Sequence, residues 1–347
     1  MSHVGHEQAD LAILHPRETS DFYGHAAAEQ TLLDAYRGGR MAHAWLIGGR
    51  PGIGKATLAY RLARFVFSHP DPTAPAVQQA SSLAIGSNIA VARQVAAQAH
   101  PDLLVLQRTV GDNGKLRSVI TVDEVRRTVS FFGSTAGQGG WRVCIVDTAD
   151  ELQYPQAANA LLKVIEEPPA RSLFILVSHT PGRLLPTIRS RCRQILLRPM
   201  TPDDVTRALT AAARRPVNDP EIAAAAAVAE GSAGRAAALL DGETMALRTR
   251  INLLLTKLPE IDARALHALG DELAGSDAGP LATFADTVRE WLSARLSMPA
   301  AEPRRLAQVA EVWEKVNGAA RDVEIYNLER KPLVFSVFGL LADTARR

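Results

Sequence analysis

The 347-residue sequence contains only two cysteines, Cys144 in an apolar strand-like run and Cys192 after an arginine. That excludes a disulfide framework and a cysteine-based zinc cluster, and both thiols are expected in core or turn positions. No apolar run approaches membrane-spanning length, and residues 1–10 have no basic-then-apolar leader. A soluble cytoplasmic protein with no membrane partner is expected. Charge of one sign is also missing: 39 Lys and Arg oppose 37 Asp and Glu, a net of +2. Affinity for nucleic acid therefore cannot come from bulk charge, only from a local patch or from partner proteins. Repeats and low-complexity tracts are absent apart from the helix-filling run Ala223–Ala227.

What is present is ordinary globular material, 47% hydrophobic, in a chain too long for one core, so two or three domains are expected. The most informative stretch is Ala44-Trp45-Leu46-Ile47-Gly48-Gly49-Arg50-Pro51-Gly52-Ile53-Gly54-Lys55-Ala56-Thr57. Gly49, Gly52, Gly54 and Lys55 have P-loop spacing: glycines let backbone N–H groups close around phosphates, and the lysine adds a charge at the β- and γ-phosphates. The helix that follows directs its positive end at the same anion. The plain alternative is a Gly-rich strand-to-helix turn without a ligand. Ala56 stands where a hydroxyl would ligate Mg²⁺. Thr57 comes next, and one residue of helix rotates its hydroxyl about 100° away from that position. Nucleotide, ATP or ADP, is expected at Gly49, Gly52, Gly54, Lys55 and Thr57, with Mg²⁺ weak or absent.

Periodicity places a helix over 26–37 stopped by Gly38-Gly39, a helix after the P-loop through Leu58, Leu62, Val66 and Phe67, and a loop over 69–80. Helices over 89–99 and 121–130 flank a strand at 103–106; Arg126 and Arg127 on the second read as a solvated face. Arg142-Val143-Cys144-Ile145-Val146-Asp147 is a buried strand that ends in an acid, where open α/β sheets place ligand groups. Asp147 is either a Mg²⁺-associated carboxylate or a strand-end cap, and Thr148 follows where hydrolysing enzymes carry a glutamate to orient water. A helix over 157–166, a strand over 173–177 closing on Ser178-His179-Thr180, a helix over 184–189, a turn at 190–192 and a strand over 194–197 complete the alternation. His179 is a phosphate sensor or a satisfied strand-end histidine. Past Pro199 strands disappear. Three short helices, 202–213, 220–230 and 232–240, form a small bundle in which Ser232 is an N-cap. Arg235 lies in a first helical turn, against the dipole, so it serves a phosphate or is a surface arginine. From Glu243 four or five longer helices follow, including 281–296 and 306–326, with Trp291, Trp313 and Tyr326 but no acid–base constellation. His3 and His6 have no nearby metal-site partner.

His43-Ala44-Trp45-Leu46 before the P-loop, Ala158-Asn159-Ala160-Leu161-Leu162-Lys163 running into Glu166-Glu167-Pro168-Pro169, and Ser190-Arg191-Cys192 together resemble the bacterial clamp-loader AAA+ proteins of DNA polymerase III. The resemblance implies a disordered N-terminus over 1–13, a RecA-like α/β P-loop domain with a parallel sheet over 14–199, a three-helix lid over 200–242 and an all-α collar over 243–347. It implies a five-subunit ring with gamma/tau and delta subunits that loads a sliding clamp onto primed DNA. It gives Arg191 the role of an arginine finger projecting into a neighbour's ATP site, the alternative being an internal salt bridge. Ala56 and Thr148 favour the non-hydrolysing stator position over an ATP-hydrolysing gamma/tau-like motor or a stand-alone AAA+ DNA-remodelling ATPase. Many relatives carry a four-cysteine zinc module between the positions of Phe67 and Pro101; this chain has none, so zinc is expected to be absent.

Overall fold

The computed structural model describes residues 14–111, 116–117, 119–133, 140–216, 218–274, 278–296 and 328–346, with isolated helical positions between 311 and 323. Its chain divides into two compact units, the second made of residues 241–347 together with the segment 112–118. Each is described by itself.

The first unit is built on five parallel strands, β1 (Ala44–Gly48), β2 (Leu103–Leu106), β3 (Arg142–Asp147), β4 (Ser172–Ser178) and β5 (Arg193–Leu196), in the spatial order β2-β3-β4-β1-β5. The central strands are apolar between their ends because helices cover both faces. Side-chain alternation divides them cleanly. Trp45, Ile47, Val143, Ile145, Leu173 and Ile175 enter one core, and Ala44, Leu46, Cys144, Val146, Phe174 and Leu176 enter the other. At roughly 1.5–3 kcal/mol per fully buried large apolar side chain, these two layers dominate the stability of the unit.

Helices α1 (Ala26–Arg37), α2 (Lys55–Ser68), α3 (Pro75–Gln78) and α4 (Ala90–Ala96) precede β2, and α5 (Val122–Gly133), α6 (Gln156–Glu166) and α7 (Pro186–Arg191) follow in order. Two local expectations change. The 69–80 stretch contains α3, started by Pro75, whose fixed φ suits a first helical turn. Ser190 and Arg191 form the last turn of α7 instead of a free turn, which places Arg191 where a cation complements the helix dipole. Arg126 and Arg127 are exposed and pair with Asp123 and Glu124 one turn back, the expected solvated face. Both cysteines are buried thiols.

The same unit contains α8 (Pro202–Ala213), α9 (Pro220–Val228) and α10 (Ala233–Leu240). Thr201 and Asp219 cap the first two by accepting backbone N–H bonds, each followed by a helix-starting proline. Their small core gathers Val205, Leu209, Ile222, Ala226 and Ala236.

In the second unit the described helices are α11 (Gly242–Thr256), α12 (Ala263–Leu273), α13 (Ala278–Leu296) and α14 (Arg330–Arg346). Asp241 and Asp262 cap the first two. Leu333, Val334, Val337, Phe338 and Leu341 of α14 are buried in this unit's own core. Most of the expected helix over 306–326, Trp313 and Tyr326 included, lies outside the described residues, as do His3 and His6. No described helix is long and apolar enough to cross a membrane.

Candidate functional site

A cavity of about 360 Å³ opens at the carboxyl ends of β1, β3 and β4. Three parts of the chain enclose it: the P-loop with the start of α2, the helices α8 and α10, and the segment from Leu14 to Tyr23. Gly52, Gly54, Lys55, Thr57 and Asp147 all line it, together with Ala56, Thr148 and His179. The sequence spacing therefore brings the expected phosphate-end residues to one place, where helix α2 presents its N-terminus.

The loop depends on glycine for close approach. Gly49 has φ +143°, and a Cβ there would sit 2.6 Å from the Leu197 carbonyl oxygen and 2.7 Å from Ile53 Cδ1. At Gly52, φ +71°, a Cβ would meet Ser232 Oγ at 2.4 Å and Gly234 Cα at 2.9 Å. The second crowding reveals how α10 docks on the loop apex. Gly234 N–H donates to the Gly52 carbonyl at 2.9 Å, and Ser232 Oγ donates to the Pro51 carbonyl at 3.0 Å. Ser232 Oγ also accepts from Arg235 N at 3.1 Å, so the predicted N-cap forms and simultaneously ties α10 to the P-loop.

Lys55 is buried, 3% exposed, and folds back on its own loop, donating to the carbonyls of Gly49 at 2.7 Å and Arg50 at 2.5 Å. Burial pushes its pKa down to about 8, while the Asp150 and Asp147 carboxylates pull it upward. Asp147 responds in the opposite sense: burial raises its carboxyl, and the Lys55 charge opposes the rise. His179 is driven down to about 4 by burial and by Lys55, so it is a neutral imidazole at neutral pH.

One organising residue escaped the sequence reading. Asp150 accepts from Ser178 Oγ at 3.0 Å, His179 N at 2.5 Å, Thr180 N at 3.0 Å and Thr180 Oγ1 at 2.7 Å. Burial alone would raise its carboxyl, but the bonds from Thr180, His179 and Ser178 outweigh it and hold the pKa below the ordinary range. No local motif marks it: the parallel register of β3 and β4, with Asp147 beside Val177, carries Ser178-His179-Thr180 to the chain just past Asp147.

Three expected site residues, Gly49, Arg235 and Arg191, are not among those that line the cavity. The Arg235 guanidinium pairs with Glu230 at 3.3 Å, and Glu230 also meets Arg50 at 3.4 Å. Arg191, at the end of α7, pairs with Glu166 Oε1 at 2.7 Å and donates to the Thr187 carbonyl at 3.0 Å.

The residues suit the phosphate end of a nucleotide: a buried lysine, loop backbone and a helix N-terminus converge there. They suit catalytic Mg²⁺ poorly, since Ala56 offers no hydroxyl beside Asp147. Among the described residues no group of three or more His, Cys, Asp and Glu side chains is arranged to hold a metal ion.

Residues 24–201 match the family model described as "DNA polymerase III, delta subunit". The chain is 38% identical over 167 residues to the Pseudomonas aeruginosa DNA polymerase III subunit delta', an alignment covering 48% of this chain and 46% of that one. It is 34% identical over 258 residues to the Escherichia coli subunit delta', covering 74% and 72% respectively. A Mycobacterium bovis gamma/tau subunit is 32% identical over 199 residues, covering 56% of this chain but 31% of that one.

Proposed function

Because the chain belongs to the DNA polymerase III delta-prime family, we propose that it is the stator of a clamp loader, a subunit that binds nucleotide without hydrolysing it. The observation that carries this reading is the composition of one cavity. Lys55 and the glycine loop are formed there, while Ala56 and Thr148 replace the groups that hold Mg²⁺ and orient water. The first unit is read as the nucleotide-binding domain and its three-helix lid, and the helical second unit as the collar that joins a five-subunit ring with gamma/tau and delta subunits. Clamp and primed DNA are engaged through that complex in the cytoplasm, and Arg191 serves a neighbour's ATP site.

Reconstitution tests the assignment. Mixed with gamma/tau and delta, the chain is expected to elute in one defined complex whose ATP turnover rises with clamp and primed DNA, while the chain alone shows no turnover above background. Hydrolysis by the isolated chain that disappears with Lys55→Ala would replace the stator reading with a gamma-like motor.

Nucleotide binding itself is expected to depend on pH with a definite sign. A bound phosphate favours protonated Lys55, and that form is lost as pH rises through about 8 in the free protein. Affinity for a fluorescent ADP analogue should therefore be flat near pH 7 and then fall by up to about tenfold per pH unit above 8. Lys55→Arg, whose charge persists, should flatten the profile. A wild-type profile level to pH 9.5 would remove Lys55 from the phosphate site.

A further inference from the structure

Glu166 is the last residue of α6, where its negative charge opposes the helix dipole, and Pro168-Pro169 prevents the helix from continuing. An acid in that position does not serve its own helix. Its carboxylate instead reaches across to α7, which packs against α6, and meets Arg191 Nη2 at 2.7 Å. The opposite edge of the same guanidinium, Nη1, is fixed by the Thr187 carbonyl one turn back at 3.0 Å. Two anchors from different elements thus define the plane of the group. A guanidinium has more N–H donors than these contacts use, so Arg191 remains able to bind an incoming anion.

We infer that Glu166 is a positioning residue for Arg191, holding the guanidinium in the orientation in which it meets a neighbouring subunit's nucleotide. The inference rests on the reading of Arg191 as acting in trans. Side-chain exposures of 38% for Arg191 and 39% for Glu166 decide between orienting and sequestering. A pair so open to water is too weak to withhold an arginine from a triphosphate, but it narrows the rotamers available to a long flexible side chain. Glu166 therefore favours the productive geometry without competing for it.

The test uses the full complex reconstituted with gamma/tau and delta, with equal assembly confirmed by sizing, and separates kcat from KM for ATP. Glu166→Ala is expected to lower kcat by about three- to fivefold with KM unchanged, the scale set by a half-exposed ion pair. Glu166→Gln retains an acceptor oxygen for Nη2 and should recover at least half of that loss. In an Arg191→Ala background, Glu166→Ala should have no further effect. Unchanged or faster turnover in Glu166→Ala, while Arg191→Ala remains slow, overturns the positioning role and leaves the finger standing. A loss that persists in the Arg191→Ala background also overturns it, because Glu166 would then act through packing. If Arg191→Ala itself turns over normally, the finger reading fails and this inference fails with it.

Discussion

Arg191→Ala in the reconstituted complex is expected to reduce clamp- and primed-DNA-stimulated ATP turnover by about tenfold or more, with assembly intact by sizing. The expectation follows from where charge accumulates in phosphoryl transfer. The γ-phosphoryl group passes through a state with charge spread over its oxygens, and a planar guanidinium offsets that charge with paired N–H donors. A finger in trans contributes about 10³–10⁵ in rate at the site it serves. On the proposed reading of a ring with further ATP sites that Arg191 does not serve, the complex-level loss is smaller. Arg191→Lys should recover little, since an ammonium supplies a point charge without the fork. In the chain itself Arg191 is paired and partly exposed, and among the described residues its carboxylate contact, Glu166, is a surface partner. Normal turnover by both variants would leave the salt bridge as the whole role of Arg191.

Most of the sheet was legible because period-2 and period-3.6 patterns differ sharply in a parallel α/β layer. β2 and α1 begin and end at the residues their apolar runs indicate. The short helix α3 was not legible, since four residues are too few to display a period. The site divides along the same physical line. Lys55 and the glycines were readable because their spacing is local, and Asp147 because it ends an apolar strand run. Asp150 was not, because its partners Ser178 and Thr180 lie 28 and 30 residues away and only strand register brings them together. The contacts of Gly52 with Ser232 and Gly234 were hidden for the same reason, across an even longer separation. Sequence motifs thus identify groups clustered by local spacing better than those brought together by register and docking.

The segment that closes the other side of the cavity illustrates this and supports a large stability prediction. Arg61 and Arg64, both buried on α2, carry no motif, yet they pin the chain before α1. Arg64 donates to the carbonyls of Arg17 at 2.8 Å and Thr19 at 2.7 Å, and Arg61 donates to that of Ser20. Arg61 Nε also meets Glu29 Oε1 at 2.5 Å, with the two side chains 8% and 11% exposed, and Glu29 accepts Leu83 N at 2.9 Å. Removing one member of such a pair leaves an uncompensated buried charge. Arg61→Met is therefore expected to destabilise the first unit by about 3–5 kcal/mol, a large part of the roughly 5–15 kcal/mol that holds a typical domain together. Urea unfolding in a Trp291→Phe/Trp313→Phe background, where Trp45 and Trp141 report on this unit, would measure it. The double variant Arg61→Met/Glu29→Met removes both charges and should recover most of the loss, leaving about 1–2 kcal/mol for the Leu83 N–H and Ser20 carbonyl that lose partners. The contrast between single and double variants is the decisive quantity. Equal losses would show that Arg61 stabilises through its bond to the Ser20 carbonyl and its packing, with the ion pair contributing nothing of its own. Recovery would show that α1 and α2 are joined by a compensated charge pair, beside the segment whose Thr19 and Asp21 line the cavity.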